Sequence, residues 1–497
     1  MENKKAYLSI FNKENLEILA KNLIDKKYKL IATKNTALYL KDKGFEVEES
    51  SGLTGFDELL GGKVKSLHPR IFAEILATKE EKQKENIEGF DLVAVDLYPF
   101  EEYINKNIET ETLLSNIDIG GVSLLRAAAK NYQNVIVISS SDDYSIDLDE
   151  IDEKKREELA LKAFLKTSKY DFLIEKKLSN QFKQEENSKA LYFNKLQNLR
   201  YGENPHQKAS LYSYDKELDW VLLNGKEMSY NNILDSTAGL ELAAEFFDVC
   251  ACVIIKHTTP CAVALSSNLE SAWDKALDSD PISPFGGVVV FTKEVELPLA
   301  KKLTQMFLEV IIAPSYSAEA LLELQKKKNL RVIKINTPYK NILSFCDEEI
   351  KLTPFGALIQ EKDTKELDVK TFKVITKKKP EQREVEDMIF AFKVVKHVKS
   401  NAIVVAKDLR TLGICGGQTS RVSSVEIALS KVCDSPKDSV IASDGFFPAI
   451  DNIQVAAQNR VSAIIQPAGS IKDKDVIETA DKLNISMIAT GIRHFKH

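Results

Sequence analysis

The chain has 497 residues, 44% hydrophobic and 29% charged, with 68 Lys and Arg against 74 Asp and Glu. Domains of roughly 100–200 residues make two to four of them the expectation, and the composition excludes a disordered chain, a collagen and a coiled-coil rod. A net charge of −6 excludes the basic field that duplex nucleic acid requires, while local basic pockets for small phosphates stay open.

The opening alternates. Ala6–Phe11 reads as a buried strand, and Asn12 as the N-cap of an amphipathic helix with Leu16, Ile18, Leu19 and Leu23 inward. Tyr28–Thr33 is a second strand, Thr36–Lys43 a helix closed by Gly44, and Phe45–Glu48 a third strand. This order implies parallel pairing with right-handed crossovers. Asp91–Asp96 and Val135–Ser139 are further strands, and Asp118-Ile119-Gly120-Gly121 opens a helix through Lys130. Ile151–Gln197 is charged and mostly helical, as at a domain boundary. A second α/β region follows, with strands at Ala251–Ile255, Gly287–Phe291, Val310–Ala313, Ala402–Val405, Val440–Ala442 and Val461–Ile465. Helices such as Ala238–Phe247 and Leu269–Leu277 lie between them.

No apolar run reaches the roughly 18 residues of a membrane span, and the start lacks a signal-peptide core. A cytoplasmic protein without membrane or nucleic-acid partners is expected. Six cysteines, none before Cys250, make no disulfide framework. The absence of HExxH and of paired CxxC motifs predicts no zinc.

Several segments could carry chemistry. Leu60–Pro69 combines two glycines, Lys63, Lys65, Ser66 and His68, which suits an anion but equally a solvated turn. Asp118 before a helix is a capping residue or an acid at an exposed helix N-terminus. Lys130 at the other end complements the helix dipole. Tyr98 follows a buried strand, where ligands of parallel sheets bind. Lys256-His257 follows a strand and could move protons, or could simply reach solvent. Cys250, Cys252, His257 and Cys261 read as core and turn residues rather than metal ligands. Gly416–Arg421 suits a carboxylate or phosphate. In Asp444–Pro448 two aromatics, Phe446 and Phe447, stand beside an acid.

Ten ordered segments carry a resemblance: Leu60–Pro69, Asp96–Phe100, Asn116–Asn131, Arg200–Gln207, Lys226–Asp235, Ile255–Cys261, Asp280–Gly287, Lys396–Asn401, Gly416–Arg421 and Ser443–Asn452. Over nearly its full length the chain resembles the bifunctional AICAR transformylase/IMP cyclohydrolase family. The resemblance implies an α/β chain with a methylglyoxal-synthase-like parallel-sheet domain over 1–185. A transformylase domain of two cytidine-deaminase-like lobes, split near 360–380, would cover 186–497. It implies formyl transfer from 10-formyltetrahydrofolate, a co-substrate, to AICAR, then dehydrative closure of formyl-AICAR to IMP. A homodimer is expected, without zinc, and a bound monovalent cation is left open. Two alternatives stand beside this reading: a transformylase with impaired cyclohydrolase, and a non-catalytic nucleotide or folate sensor.

By resemblance, Lys256, His257 and Asn401 carry formyl transfer. Arg200, Tyr201, Lys328 and Arg493 match positions near the AICAR phosphate and carboxamide, while Phe285, Glu309, Arg421, Phe446 and Asp451 match the nucleotide and folate pocket. For ring closure the matches are Lys65, Tyr98, Asp118 and Lys130, with Ser9, Lys13, Thr33, Thr36, Lys63 and Ser66 binding substrate. The departures gather in the first domain. Phe11 stands for a serine, Thr33-Lys34-Asn35-Thr36 for Ser-Gly-Gly-Thr, Lys63 for an arginine, and Phe72-Ala73-Glu74 for His-Ala-Gly. The second domain has Pro260-Cys261-Ala262 where glycine usually ends the motif.

Overall fold

The structure, a computed structural model, describes residues 4–57, 59–62, 64–183, 188–213, 218–433 and 435–497. It divides into two compact units, Met1–Tyr192 and Phe193–His497.

The first unit carries β1 (Lys4–Ser9), β2 (Tyr28–Ala32), β3 (Glu48–Glu49), β4 (Leu92–Val95) and β5 (Ile136–Ile138). They form one parallel sheet in the order β3-β2-β1-β4-β5. The central strands are short, largely apolar runs, as in a parallel sheet covered on both faces, while the edge strand β3 is Glu48-Glu49. All five point the same way, so their C-terminal ends share one crest, where Ser9, Thr33 and Asp96 stand. The first helix begins at Leu16 behind Asn15, not behind Asn12, and Ile18 is turned outward while Leu16, Leu19 and Leu23 are buried. At about 3.6 residues per turn Ile18 falls on the face opposite Leu16, Leu19 and Leu23 wherever the helix starts. The third strand is only two residues long and lies at the end of the expected segment.

Glu74, one of the departures, is explained by packing. It is buried on helix Pro69–Leu76 and meets Lys5 Nζ at 2.6 Å and Arg70 Nε at 3.3 Å. Lys5, itself buried on β1, also reaches Glu88 at 2.9 Å.

The second unit begins with a hairpin, β6 (Asn194–Leu199) and β7 (Ala209–Ser213). β8 (Trp220–Asn224), β9 (Cys250–Lys256), β10 (Thr259–Ser266), β11 (Val288–Phe291), β12 (Val310–Ala313) and β13 (Arg331–Ile335) make half of a twelve-stranded sheet. A second hairpin, β14 (Glu348–Thr353) and β15 (Gly356–Glu361), separates this half from the next. The other half holds β16 (Lys373–Val374), β17 (Ile403–Lys407), β18 (Arg410–Cys415), β19 (Val440–Ser443), β20 (Ala463–Gln466) and β21 (Ser486–Ala489). The strand order is β16-β21-β20-β19-β17-β18-β10-β9-β11-β12-β13-β8. Each half therefore reads hairpin, then three strands paired in parallel with one another, then an antiparallel edge strand, mirrored about the β10–β18 seam. β10 and β18 escape an apolar-run reading because Thr, Pro, Ser, Arg and Gly interrupt them.

Removing Lys5 leaves the buried Glu74 carboxylate without its main partner, a loss of about 3 kcal/mol. Lys5→Met is expected to lower hydrogen-exchange protection of β1 and of helix Pro69–Leu76. The double variant Lys5→Met/Glu74→Leu is expected to recover most of it.

Candidate functional site

At the crest of the first unit, several of the expected residues converge. Lys65 Nζ lies 3.3 Å from the Tyr98 hydroxyl and over its ring at 5.7 Å. Phe11 packs edge-on against Tyr98, centroids 5.1 Å apart. The residue standing for a serine thus supports the tyrosine. Ser66 is buried with its hydroxyl against Gly120, where any Cβ would lie 2.6 Å from Oγ. The helix Gly120–Lys130 therefore starts with glycine because that hydroxyl occupies the side-chain space. Asp118 caps this helix, its Oδ1 accepting from Gly121 N at 2.7 Å. Burial pushes the Asp118 carboxyl above its ordinary range, against the pull of the Gly121 and Tyr98 amides and of Lys65.

The phosphate-side residues are less open than expected. Thr36 is fully buried, and its hydroxyl donates to Ile10 O at 3.1 Å and accepts from Ile10 N at 3.2 Å. Thr33, also buried, contacts it at 3.2 Å. These hydroxyls bind the loop after β1, which leaves the helix N-terminus at Lys34 to face outward. Lys13 curls back on the Ile10 and Phe11 carbonyls. Burial lowers its pKa, Asp96 opposes this, and Lys65 adds to it. Ser9 ends β1. Lys63 lies outside the described residues. Lys130 is not brought to this cluster: it ends the helix, exposed, ten residues past Gly120, about 15 Å along the axis.

In the second unit, strand directions place the candidates on one sheet edge. β9 ends there, and β11, β12 and β13 begin there; β17 begins there, and β18, β19, β20 and β21 end there. Lys256, His257, Phe285, Glu309, Asn401, Arg421, Phe446, Asp451 and Arg493 all follow or precede those strand ends. β9 and β17 are three strand spacings apart, about 14 Å.

His257 and Thr258 form a two-residue hairpin turn between β9 and β10, with Lys256 paired to Thr259. Both take the left-handed conformation, φ 52° and 59°. Such turns favour Asn-Gly, and a β-branched threonine there carries strain of about 1–3 kcal/mol. Asp235 holds the strained turn, accepting from Thr258 N at 2.6 Å. His257 is consequently projected into solvent at the sheet edge. Lys256 Nζ donates to Phe285 O at 2.8 Å and Gly286 O at 3.0 Å, which leaves one N–H direction free.

Asn401 is oriented from both sides. Its Nδ2 donates to Gln418 O at 3.0 Å, and its Oδ1 accepts from Arg421 Nη2 at 2.8 Å. Arg421 is buried, and its other nitrogen meets Ser443 Oγ at 2.7 Å and the wholly buried Asp444. Its guanidinium serves the protein rather than an open pocket. Gly445 passes between Arg421 and Phe495, with no room for a Cβ.

Glu309 is paired with Arg331 at 2.8 Å. Phe285 packs on Phe307 at 5.3 Å, and Phe307 with Lys326, Lys327 and Lys328 lines a cavity of about 340 Å³. Arg200 stacks over Tyr201 in the β6–β7 loop, and Asn231 Nδ2 ties that loop to the helix carrying Asp235 through Glu203 O at 3.2 Å. Arg493 stacks on Phe495 at 4.3 Å. Phe446 is exposed, and Asp451, the first residue of its helix, accepts from Asn452 N at 2.7 Å. Asp235, Arg331 and Asp444 were given no site role in the sequence. Asp235 and Asp444 sit in motif segments and Arg331 in none, and only contact reveals what they hold. Among the described residues no group of His, Cys, Asp and Glu could hold a metal ion, and none of the described helices is long and apolar enough to cross a membrane.

Comparisons with known proteins place the chain in a family. An MGS-like domain model matches residues 15–123, and an AICARFT/IMPCHase bienzyme model matches residues 128–431. The chain is 45% identical to the bifunctional purine biosynthesis protein PurH of Caldicellulosiruptor bescii, over 100% of both chains. It is 43% identical to the PurH of Aquifex aeolicus and 45% to that of Fusobacterium nucleatum, each over 99% of this chain and 100% of the relative.

The raised Asp118 pKa fixes a pH dependence. The folded form holds its proton to higher pH than the unfolded chain, so stability falls as pH rises through that window and stays lower above it. Asp118→Asn, which keeps an oxygen for Gly121 N, is expected to unfold at higher temperature than the parent above the carboxylate range, with no gain in acid. Melting curves across pH check this.

Proposed function

Since the chain belongs to the AICARFT/IMPCHase bienzyme family and catalyses the last two steps of IMP synthesis, we propose which of its residues perform each step. Formyl transfer from the folate co-substrate to AICAR is assigned to the sheet edge of the second unit, and ring closure of formyl-AICAR to the crest of the first.

The AICAR amine is a weak nucleophile because its lone pair delocalises into the imidazole. It must lose a proton as it attacks the formyl carbon, and the folate nitrogen must gain one as it leaves. His257 is the base. Its exposed place on a turn locked by Asp235 supports the reading, because a base must be fixed in position yet open to substrate. Lys256, with one free N–H direction beside Phe285 and Gly286, stabilises the oxyanion or passes on the proton. Asn401, held at both ends of its amide, keeps one N–H for substrate. Arg200, Tyr201, Lys328 and Arg493 bind the AICAR phosphate and carboxamide, and Phe285, Glu309, Phe446 and Asp451 line the rest of the pocket. Arg421 positions Asn401.

In ring closure the carboxamide nitrogen attacks the formyl carbon, an oxyanion develops, and water then leaves. Lys65 and Tyr98 are the donors to the oxyanion, and Asp118, whose burial favours its protonated form, exchanges the proton. Ser9, Lys13, Lys34 and Ser66 surround the substrate, with the Thr33-Thr36 pair shaping the loop. Lys130 is left out of this centre. The enzyme is cytoplasmic and a homodimer in this reading.

The test is incubation of purified protein with AICAR and 10-formyltetrahydrofolate, quantifying formyl-AICAR and IMP against an enzyme-free blank. The parent is expected to produce IMP with little intermediate. His257→Ala is expected to lose roughly 10²–10⁴-fold in formyl transfer while still closing supplied formyl-AICAR. Formyl transfer at the parental rate would overturn the His257 assignment.

A further inference from the structure

We propose that Asp96 and Lys166 are a positioning pair for the ring-closure pocket: Asp96 holds the loop that carries Lys13, and Lys166 cancels the charge Asp96 would otherwise present to an anionic substrate. This rests on the reading that the first unit closes formyl-AICAR.

Asp96 follows β4 at the centre of the crest. Its own N–H donates to Ser9 O at 3.0 Å, so it is in register with the end of β1. One carboxylate oxygen accepts from Asn12 N at 2.9 Å, which fixes the loop immediately before Lys13. The other accepts from Lys166 Nζ at 3.1 Å. Lys166 comes from the long helix Glu153–Phe182 and also donates to Ser139 O at 2.5 Å, just past β5. The pair thus ties together the ends of β1, β4 and β5. Lys13 feels Asp96 directly, since the carboxylate opposes the loss of charge that burial imposes on it.

The chemistry is unusual for such a place. Once a phosphate monoester is bound, a carboxylate beside the pocket's lysine is unfavourable, because two anions repel there. A neutral amide would hold Asn12 N–H as well. Stability does not explain the pair either: its side chains keep 30% and 26% exposure, and such pairs contribute roughly 0–1 kcal/mol. What remains is electrostatic. With Lys166 in place, Asp96 anchors the loop without repelling the substrate; without it, the carboxylate is bare at the pocket.

The test compares the parent, Lys166→Met, Asp96→Asn and the double variant in IMP formation from formyl-AICAR at low ionic strength. Lys166→Met is expected to raise KM roughly fivefold with kcat within about twofold of the parent. Adding Asp96→Asn is expected to return KM to the parental value, because the charge is gone and an amide oxygen still accepts from Asn12. A lysine that merely fastens the helix would not be rescued in this way. An unchanged KM in Lys166→Met, or a raised KM that Asp96→Asn fails to restore, overturns the proposal. If the parent itself makes no IMP, the ring-closure reading fails. Titrating IMP into the four proteins then decides the pair alone: weaker binding by Lys166→Met, restored in the double variant, upholds it, and any other pattern overturns it.

Discussion

The second unit depends on a narrow seam. Its twelve-stranded sheet is joined in the middle where β10 meets β18, and only Ala264 and Arg410 pair there in register. The buried Thr411 hydroxyl completes the join, accepting from Val263 N at 3.0 Å and lying 3.3 Å from Val263 O. Leu265 N donates to Leu409 O at 2.9 Å. A side chain thus replaces ladder bonds that a longer paired stretch would supply. His257 stands on one side of the seam and Asn401 on the other. Their separation is therefore set by this join, and the edge that carries both exists only while it holds.

The mirrored halves show how one backbone device acquires different uses. In the first half Asp235 holds the turn at His257 and Thr258. In the second, Asp387 accepts from Asp408 N at 3.0 Å and Leu409 N at 2.7 Å, and both turn residues again have positive φ. An acid on the preceding helix offsets the strain in each case. The antiparallel seam puts the two turns on opposite edges of the sheet, so only the first lies on the edge that holds the candidate site residues. The device itself is structural; in the reading proposed for formyl transfer, histidine at the turn makes one copy a reaction centre.

What the sequence revealed followed from local signals. Buried strands in parallel ladders are uninterrupted apolar runs, so Val310–Ala313 was legible to the residue. β10 and β18 were not, because seam and turn residues break their runs. The helix after β1 was legible in kind but not in its start, since Asn12 reads as the cap while the helix begins at Leu16, behind Asn15. Among site residues, Lys256-His257 and Asp118 were legible from their positions after a strand and before a helix. Their partners were not: Asp235 is 22 residues from His257, and Lys166 is 70 from Asp96. Lys130 is the reverse case. Motif membership suggested it, while eleven residues of helix carry it away from the cluster.

The departures in the first unit become intelligible once burial is considered. Glycines in a phosphate loop let backbone amides close on an anion. Here Lys34 and Asn35 take their places, and the flanking threonine hydroxyls are committed to the interior. In the ring-closure reading, cationic side chains offset the lost backbone approach, with Lys34 at the helix N-terminus and Lys13 in the loop after β1. More lysine around a small pocket raises mutual repulsion: burial is the main reason the Lys13 pKa is lowered, Asp96 opposes the shift, and Lys65 adds a smaller contribution to it. A carboxylate at Asp96 relieves that repulsion in the empty pocket, and Lys166 prevents the same carboxylate from opposing the substrate. The crest is thus a balanced set of charges in which each substitution makes sense only beside the others.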